Sequence, residues 1–234
     1  NKKGLTRKYV LALSKKKREP EWLLELRLRG LEFWHQLSMP KWAPDISELA
    51  LDDILMYVET GNEMASSWDE VPTEIKETFD KLGIPEAEQE HLAGVGAQYD
   101  SEVIYHNLKE RIAKKGVIYL PMEEAIQLTK KKKEEVIAKY GVDVGGIVKE
   151  HFMKLISEKD HKFAALHAAV WSGGSFIYIP KRVSVEIPIQ SYYRLNAPGA
   201  GQFEHTLIVV DEGSDLHFIE GCSAPKYQKN ALHA

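Results

Sequence analysis

The feature that most constrains the fold is an internal echo. Ile177-Tyr178-Ile179-Pro180-Lys181-Arg182-Val183-Ser184-Val185-Glu186-Ile187 aligns with Ile208-Val209-Val210-Asp211-Glu212-Gly213-Ser214-Asp215-Leu216-His217-Phe218 at a spacing of 31 residues. Each copy is an apolar stretch, a polar turn and an alternating stretch. Val183, Val185, Ile187 and Ile189 alternate with Ser184, Glu186, Pro188 and Gln190, the period of two that a strand shows when one face is buried. Gly173-Gly174, Pro180-Lys181, Pro198-Gly199 and Glu212-Gly213 mark turns between such segments. Two copies suit stacked coils of a β-solenoid and equally two hairpins of a β-sandwich. Periodicity alone does not choose between them.

The preceding residues read differently. Trp22, Leu23, Leu26, Leu31, Phe33, Trp34 and Leu37 recur at near-helical spacing. Pro20 suits a helix start, and Pro40 and Pro44 end that helix. Helices are expected from Pro72 to Leu82, from Pro85, over Val103–Ala113 and over Met122–Leu128, with a short strand at Val117–Leu120. Lys15-Lys16-Lys17-Arg18 suits a solvated helix end. Trp22, Trp34 and Trp42 read as packing anchors. Residues 1–160 thus read as a mainly helical domain, and residues 161–234 as a β-region.

Bulk properties remove several functions. The net charge is −4, with 44% hydrophobic and 28% charged residues, so no global charge favours nucleic acid. No apolar run approaches the roughly 20 residues that span a bilayer. The N-terminus lacks a signal-peptide core. One cysteine excludes an internal disulfide and a multi-cysteine metal site, and it suits a reducing compartment such as the cytoplasm. The nine histidines show no i, i+4 pair with a supporting carboxylate. Gly94-Val95-Gly96-Ala97-Gln98 lacks the lysine of a phosphate loop and reads as a turn.

The lone thiol, Cys222, lies in Phe218-Ile219-Glu220-Gly221-Cys222-Ser223-Ala224-Pro225. A thiolate is a strong nucleophile at neutral pH, although most single cysteines are buried packing residues. Strand parity places Glu220 and Cys222 on the face of Leu216 and Phe218. Glu220 would oppose thiolate formation there. The 31-residue offset stacks Cys222 over Ser191, about 4.8 Å away for neighbouring strands. Arg194, three residues on, becomes a candidate cation for the thiolate. His217 faces solvent by the same parity.

Several segments together resemble a known family. They are Glu19-Pro20-Glu21-Trp22, Leu92-Ala93-Gly94-Val95-Gly96-Ala97-Gln98-Tyr99-Asp100-Ser101-Glu102, Phe163–Leu166, Ala169–Pro180, Gly201–Ile208 and Glu220–Pro225. In this order they are similar to the SufB/SufD family of iron–sulfur cluster assembly scaffolds, and within it to the SufB branch. The resemblance implies a helical N-terminal domain followed by the first coils of a right-handed parallel β-helix, with further coils beyond Ala234. On that reading the chain is a fragment, a split product or one half of an interrupted gene product.

The resemblance also implies the chemistry. Cys222 would accept persulfide sulfur, and Arg194, Asn196 and Glu204 would line the route by which sulfur travels, with Glu204 also a possible iron ligand. The protein would be a scaffold and not an enzyme. A nascent iron–sulfur cluster would be its cargo, with reduced flavin in the complex. Its partners would be a SufC-type ATPase, a SufD-type paralogue and a cysteine desulfurase or sulfur-transfer protein, with no nucleic acid and no membrane. The alternatives are a SufD-like subunit, or a structural β-module in which Cys222 is inert.

Overall fold

The computed structural model describes residues 4–43, 45–46, 48–61, 64–65, 67–81, 91–225 and 231–233. Three helices come first: α1 (Arg7–Lys16), α2 (Glu21–Gln36) and α3 (Thr73–Lys81). Strands β1 (Gly94–Tyr99) and β2 (Glu102–Leu108) follow, then α4 (Glu110–Ala113), β3 (Ile118–Pro121), α5 (Met122–Leu128), α6 (Lys133–Tyr140), α7 (Val144–His151) and α8 (Lys162–Val170). The rest is strand: β4 (Ser175–Ile179), β5 (Ser184–Arg194), β6 (Gly201–Gln202), β7 (Leu207–Val210), β8 (Asp215–Ser223) and β9 (Leu232–His233).

Local chemistry explains the helix ends. The Thr6 hydroxyl accepts the Tyr9 N–H at 3.2 Å and caps α1, while Lys15 and Lys16 sit at its negative end. Lys17 is not solvated as expected: its side chain is only 9% exposed and binds Glu123 Oε1 at 2.7 Å. Pro20 precedes α2 in extended conformation. Trp42 is 70% exposed and so is not a core anchor. The expected end of α3 at Leu82 and the helix from Pro85 lie outside the described residues.

The expected parallel β-helix is overturned. The described strands form a mixed α/β arrangement of two facing mixed sheets and a small parallel pair, with eight helices among the described residues. One sheet has the order β2-β1-β5-β8, the other β3-β4-β7. β1 and β2 are antiparallel, as are β3 and β4, while β1–β5, β5–β8 and β4–β7 are parallel. The reason is that residues 94–121 contribute strands. Gly94–Gln98, read as a turn, lies in β1, and most of Val103–Ala113, read as a helix, is β2. β3 lies antiparallel beside β4, and β2 antiparallel beside β1, so both sheets are mixed.

The echo nevertheless records real pairing. Ile177 lies opposite Ile208, and Val185 opposite Leu216, both at the 31-residue spacing. Beyond Val185 the register shifts, and Ile189 lies opposite Phe218. Glu186, Ile187 and Pro188 fall in this irregularity. Pro188 has no N–H for the ladder, and such residues collect at bulges.

Alternating side chains sort into layers. Tyr119, Ile177, Ile179, Val185 and Ile189 fill the space between the sheets. Trp68, Ile75 and Phe79 cover the outer face of the larger sheet. Met122, Val148, Phe152 and Trp171 cover the smaller one, around Ile118, Phe176 and Leu207. β7 and β8 are edge strands in their sheets.

Candidate functional site

β8 carries Cys222, and its thiol is exposed. The shifted register pairs Cys222 with Tyr193 and Glu220 with Ser191. Cys222 therefore does not stack over Ser191, because the irregularity at Pro188 moves the pairing by two residues. A two-residue shift preserves parity. Glu220 and Cys222 still share the inward face, and His217 is exposed.

A polar seam runs along this face. The Tyr119 hydroxyl meets Ser191 Oγ at 2.7 Å, and Ser191 Oγ meets Ser175 Oγ at 3.1 Å. Tyr193 and Thr206 hydroxyls lie 3.1 Å apart, and Thr206 donates to Glu220 Oε1 at 3.1 Å. Burial raises both tyrosines, Tyr119 to about 12 and Tyr193 further, so both remain protonated donors at neutral pH.

Beside the seam opens a cavity of about 490 Å³. Glu204, His205, Thr206 and Glu220 supply its polar wall, and Met153, Ile156 and Phe163 an apolar one. His167 Nε2 and His205 Nδ1 are 3.0 Å apart. Burial, with help from His167, holds His205 well below the ordinary histidine range and keeps it neutral. Glu204 Oε1 binds His233, and this bond raises His233. Glu204 Oε2 is buried with no hydrogen-bond partner among the described residues. Among those residues no group of three or more His, Cys, Asp or Glu could hold a metal ion.

The predicted residues divide. Glu204 lines the same cavity as Glu220, two positions from Cys222. Arg194 ends β5 opposite Ser223 and Tyr99, so strand alternation turns it to the face away from Cys222. Its Nη1 reaches Ser223 Oγ at 3.4 Å, and its Nε is buried without an acceptor among the described residues. The Asn196 backbone N–H donates to Asp100 Oδ1 at 2.6 Å.

Sequence reasoning missed the residues that hold these parts together. Gln98 Nε2 donates to the carbonyls of Asp100 (3.0 Å) and Ser172 (3.3 Å), and its Oε1 accepts the Gly174 N–H at 2.8 Å. Gly173 and Gly174 both have positive φ, +80° and +87°, and a Cβ on Gly173 would occupy the space of the Gln98 amide. The quoted motifs thus touch one another: Gln98 and Asp100 grip the Gly173–Gly174 turn and the turn after β5. The signal was present in the motif Gln98-Tyr99-Asp100-Ser101-Glu102, whose polar residues are more than a turn requires.

This arrangement is that of a polar-seamed, mixed-sheet scaffold with one accessible thiol. No family model matches the chain. All 234 residues align with the iron–sulfur cluster assembly SufBD family protein of Staphylococcus aureus (strain MRSA252) at 48% identity, covering 47% of that protein. The SufBD family protein of strain USA300 matches to the same extent. The iron–sulfur cluster assembly protein SufB of Bacillus subtilis (strain 168) is also 48% identical over 234 residues, with 47% of it covered. Throughout its length the chain is a homologue of SufB and SufBD family iron–sulfur cluster assembly proteins. It spans about half the length of the curated relatives it matches. No helix among the described residues is long and apolar enough to cross a membrane.

Proposed function

We propose that the chain is the sulfur-receiving part of a scaffold on which iron–sulfur clusters are assembled, with Cys222 as the acceptor. The observation that carries this reading is the placement of Cys222: the chain's single thiol stands exposed on β8 within the Glu220–Pro225 motif. The Cys222 thiolate attacks the terminal sulfur of a donor persulfide. The donor's S–S bond breaks, and its inner sulfur leaves as a thiolate. Cys222 becomes the persulfide, and no net oxidation occurs.

Arg194, Asn196 and Glu204 support sulfur on its way, with Glu204 offering to iron or to a proton the oxygen that has no hydrogen-bond partner among the described residues. Iron is substrate and the nascent cluster product. The donor is a cysteine desulfurase or its sulfur-transfer protein, and the scaffold acts with a SufC-type ATPase and a SufD-type paralogue in the cytoplasm. The carboxylates of Glu204 and Glu220 in the wall of the cavity beside β8 disfavour the phosphates of a flavin nucleotide there.

The test is Cys222→Ser in the whole protein. It should abolish cluster assembly while the fold, checked by circular dichroism, is retained. Assembly at the wild-type rate would sink the reading.

A further inference from the structure

Asp100 has an uncommon backbone, with φ +51°, a region that non-glycine residues seldom occupy. Five hydrogen bonds converge there. Oδ1 accepts the N–H groups of Asn196 at 2.6 Å and Ala197 at 2.8 Å. The Asp100 N–H donates to the Arg194 carbonyl at 2.7 Å. The Asp100 carbonyl accepts Gln98 Nε2 at 3.0 Å and Gln202 Nε2 at 2.6 Å. Three of these bonds grip Arg194, Asn196 and Ala197, and two fix Asp100 itself. Burial raises the carboxyl, while the two N–H donors and Arg194 act the other way.

The gripped turn is also tied to the strand that carries the thiol. The Leu195 N–H donates to the Ser223 carbonyl at 3.0 Å, and Arg194 reaches the Ser223 hydroxyl. One short turn therefore joins Asp100 on one side to the residue after Cys222 on the other. We propose that Asp100 is a positioning residue: it sets the Arg194–Ala197 turn and, through the Leu195 N–H and the Arg194 side chain that both hold Ser223, fixes the end of β8 that carries the Cys222 thiol. This rests on the sulfur-acceptor reading of Cys222.

Two substitutions separate positioning from stability. Asp100→Gly removes the carboxylate and relieves the positive φ, which offsets part of the cost of the two lost hydrogen bonds. Asp100→Asn retains an oxygen that can accept both N–H groups. The readout is the rate at which Cys222 in the whole protein gains one sulfur atom from glutathione persulfide, followed by mass spectrometry. Asp100→Gly should slow loading by about tenfold to a hundredfold, the range typical of misplaced groups, and Asp100→Asn should restore most of the rate. Added to Arg194→Ala, Asp100→Gly should slow loading no further. Wild-type loading by Asp100→Gly, or effects that multiply with those of Arg194→Ala, would overturn the positioning role alone. A wild-type protein whose Cys222 takes no sulfur would overturn the acceptor reading and this inference with it.

Discussion

Arg27 lies at the centre of the helical layer, and replacing it with methionine should be severely destabilising. The side chain is fully buried, and the side chain of its partner Glu19 is 2% exposed. Nη2 and Nε meet the two Glu19 oxygens at 2.6 and 2.7 Å. Nη1 and Nη2 also donate to the carbonyls of Ala169 (3.1 Å) and Trp171 (2.9 Å), and the guanidinium lies 4.9 Å from the Trp171 ring. This one group therefore fastens α2 to the end of α8, just before the Gly173–Gly174 turn. Methionine fills the stem's volume but leaves the Glu19 carboxylate and two carbonyls unpaired in the interior. Breaking a buried pair from one side costs about 3–5 kcal/mol. For a chain of this size that lowers the melting temperature by roughly 6–20 °C. Urea denaturation of the single variants and of Arg27→Met/Glu19→Leu would measure the pair. The double variant should be less destabilised than the sum of the singles, by about 1–3 kcal/mol. A loss below about 1 kcal/mol for Arg27→Met would refute the reasoning, since so small a cost is that of an exposed pair.

Gly174→Ala should cost about 2–5 kcal/mol in the same assay, combining the left-handed backbone with overpacking, because its Cβ would overlap the His205 backbone. Acid should weaken the fold through His106. Burial pushes it down to about 3, and its Nε2 is buried without a partner among the described residues. The unfolded chain takes up this proton near pH 6.5, so stability should fall as pH drops from about 6.5 toward 3. His106→Phe should flatten that slope in pH-dependent denaturation, and an unchanged slope would contradict the assignment. Cys222 should react with a thiol reagent in the native state as fast as an accessible thiol, since it is exposed. Reaction only on unfolding would mark it as packing.

Part of the strand pairing was legible in the sequence, and the losses have physical causes. The 31-residue echo is the register by which β4 meets β7 and β5 first meets β8. It failed past Pro188, where a residue without an N–H disturbs the ladder, and Cys222 consequently lies opposite Tyr193. The Met122–Leu128 helix and the strand near Val117–Leu120 were read correctly, because proline and glycine punctuate them. Val103–Leu108 read as helix because Val103, Ile104 and Leu108 suit either period. Pairing with β1 decides for the strand, a tertiary effect that propensity does not carry. Gly94–Gln98 read as a turn from its glycines, yet the small residues admit the Tyr119 ring against β1. Its antiparallel pairing with β2 is what makes that sheet mixed. The Asp100 grip was invisible because its partners are nearly 100 residues away.

The central claim is that Cys222 receives sulfur. Treating the whole protein with a cysteine desulfurase and cysteine, then mapping persulfide by mass spectrometry of trapped peptides, tests it most directly. The account predicts one added sulfur on the peptide containing Glu220–Pro225, absent in Cys222→Ser. A protein that supports cluster assembly while this peptide stays unmodified at every time point would contradict it.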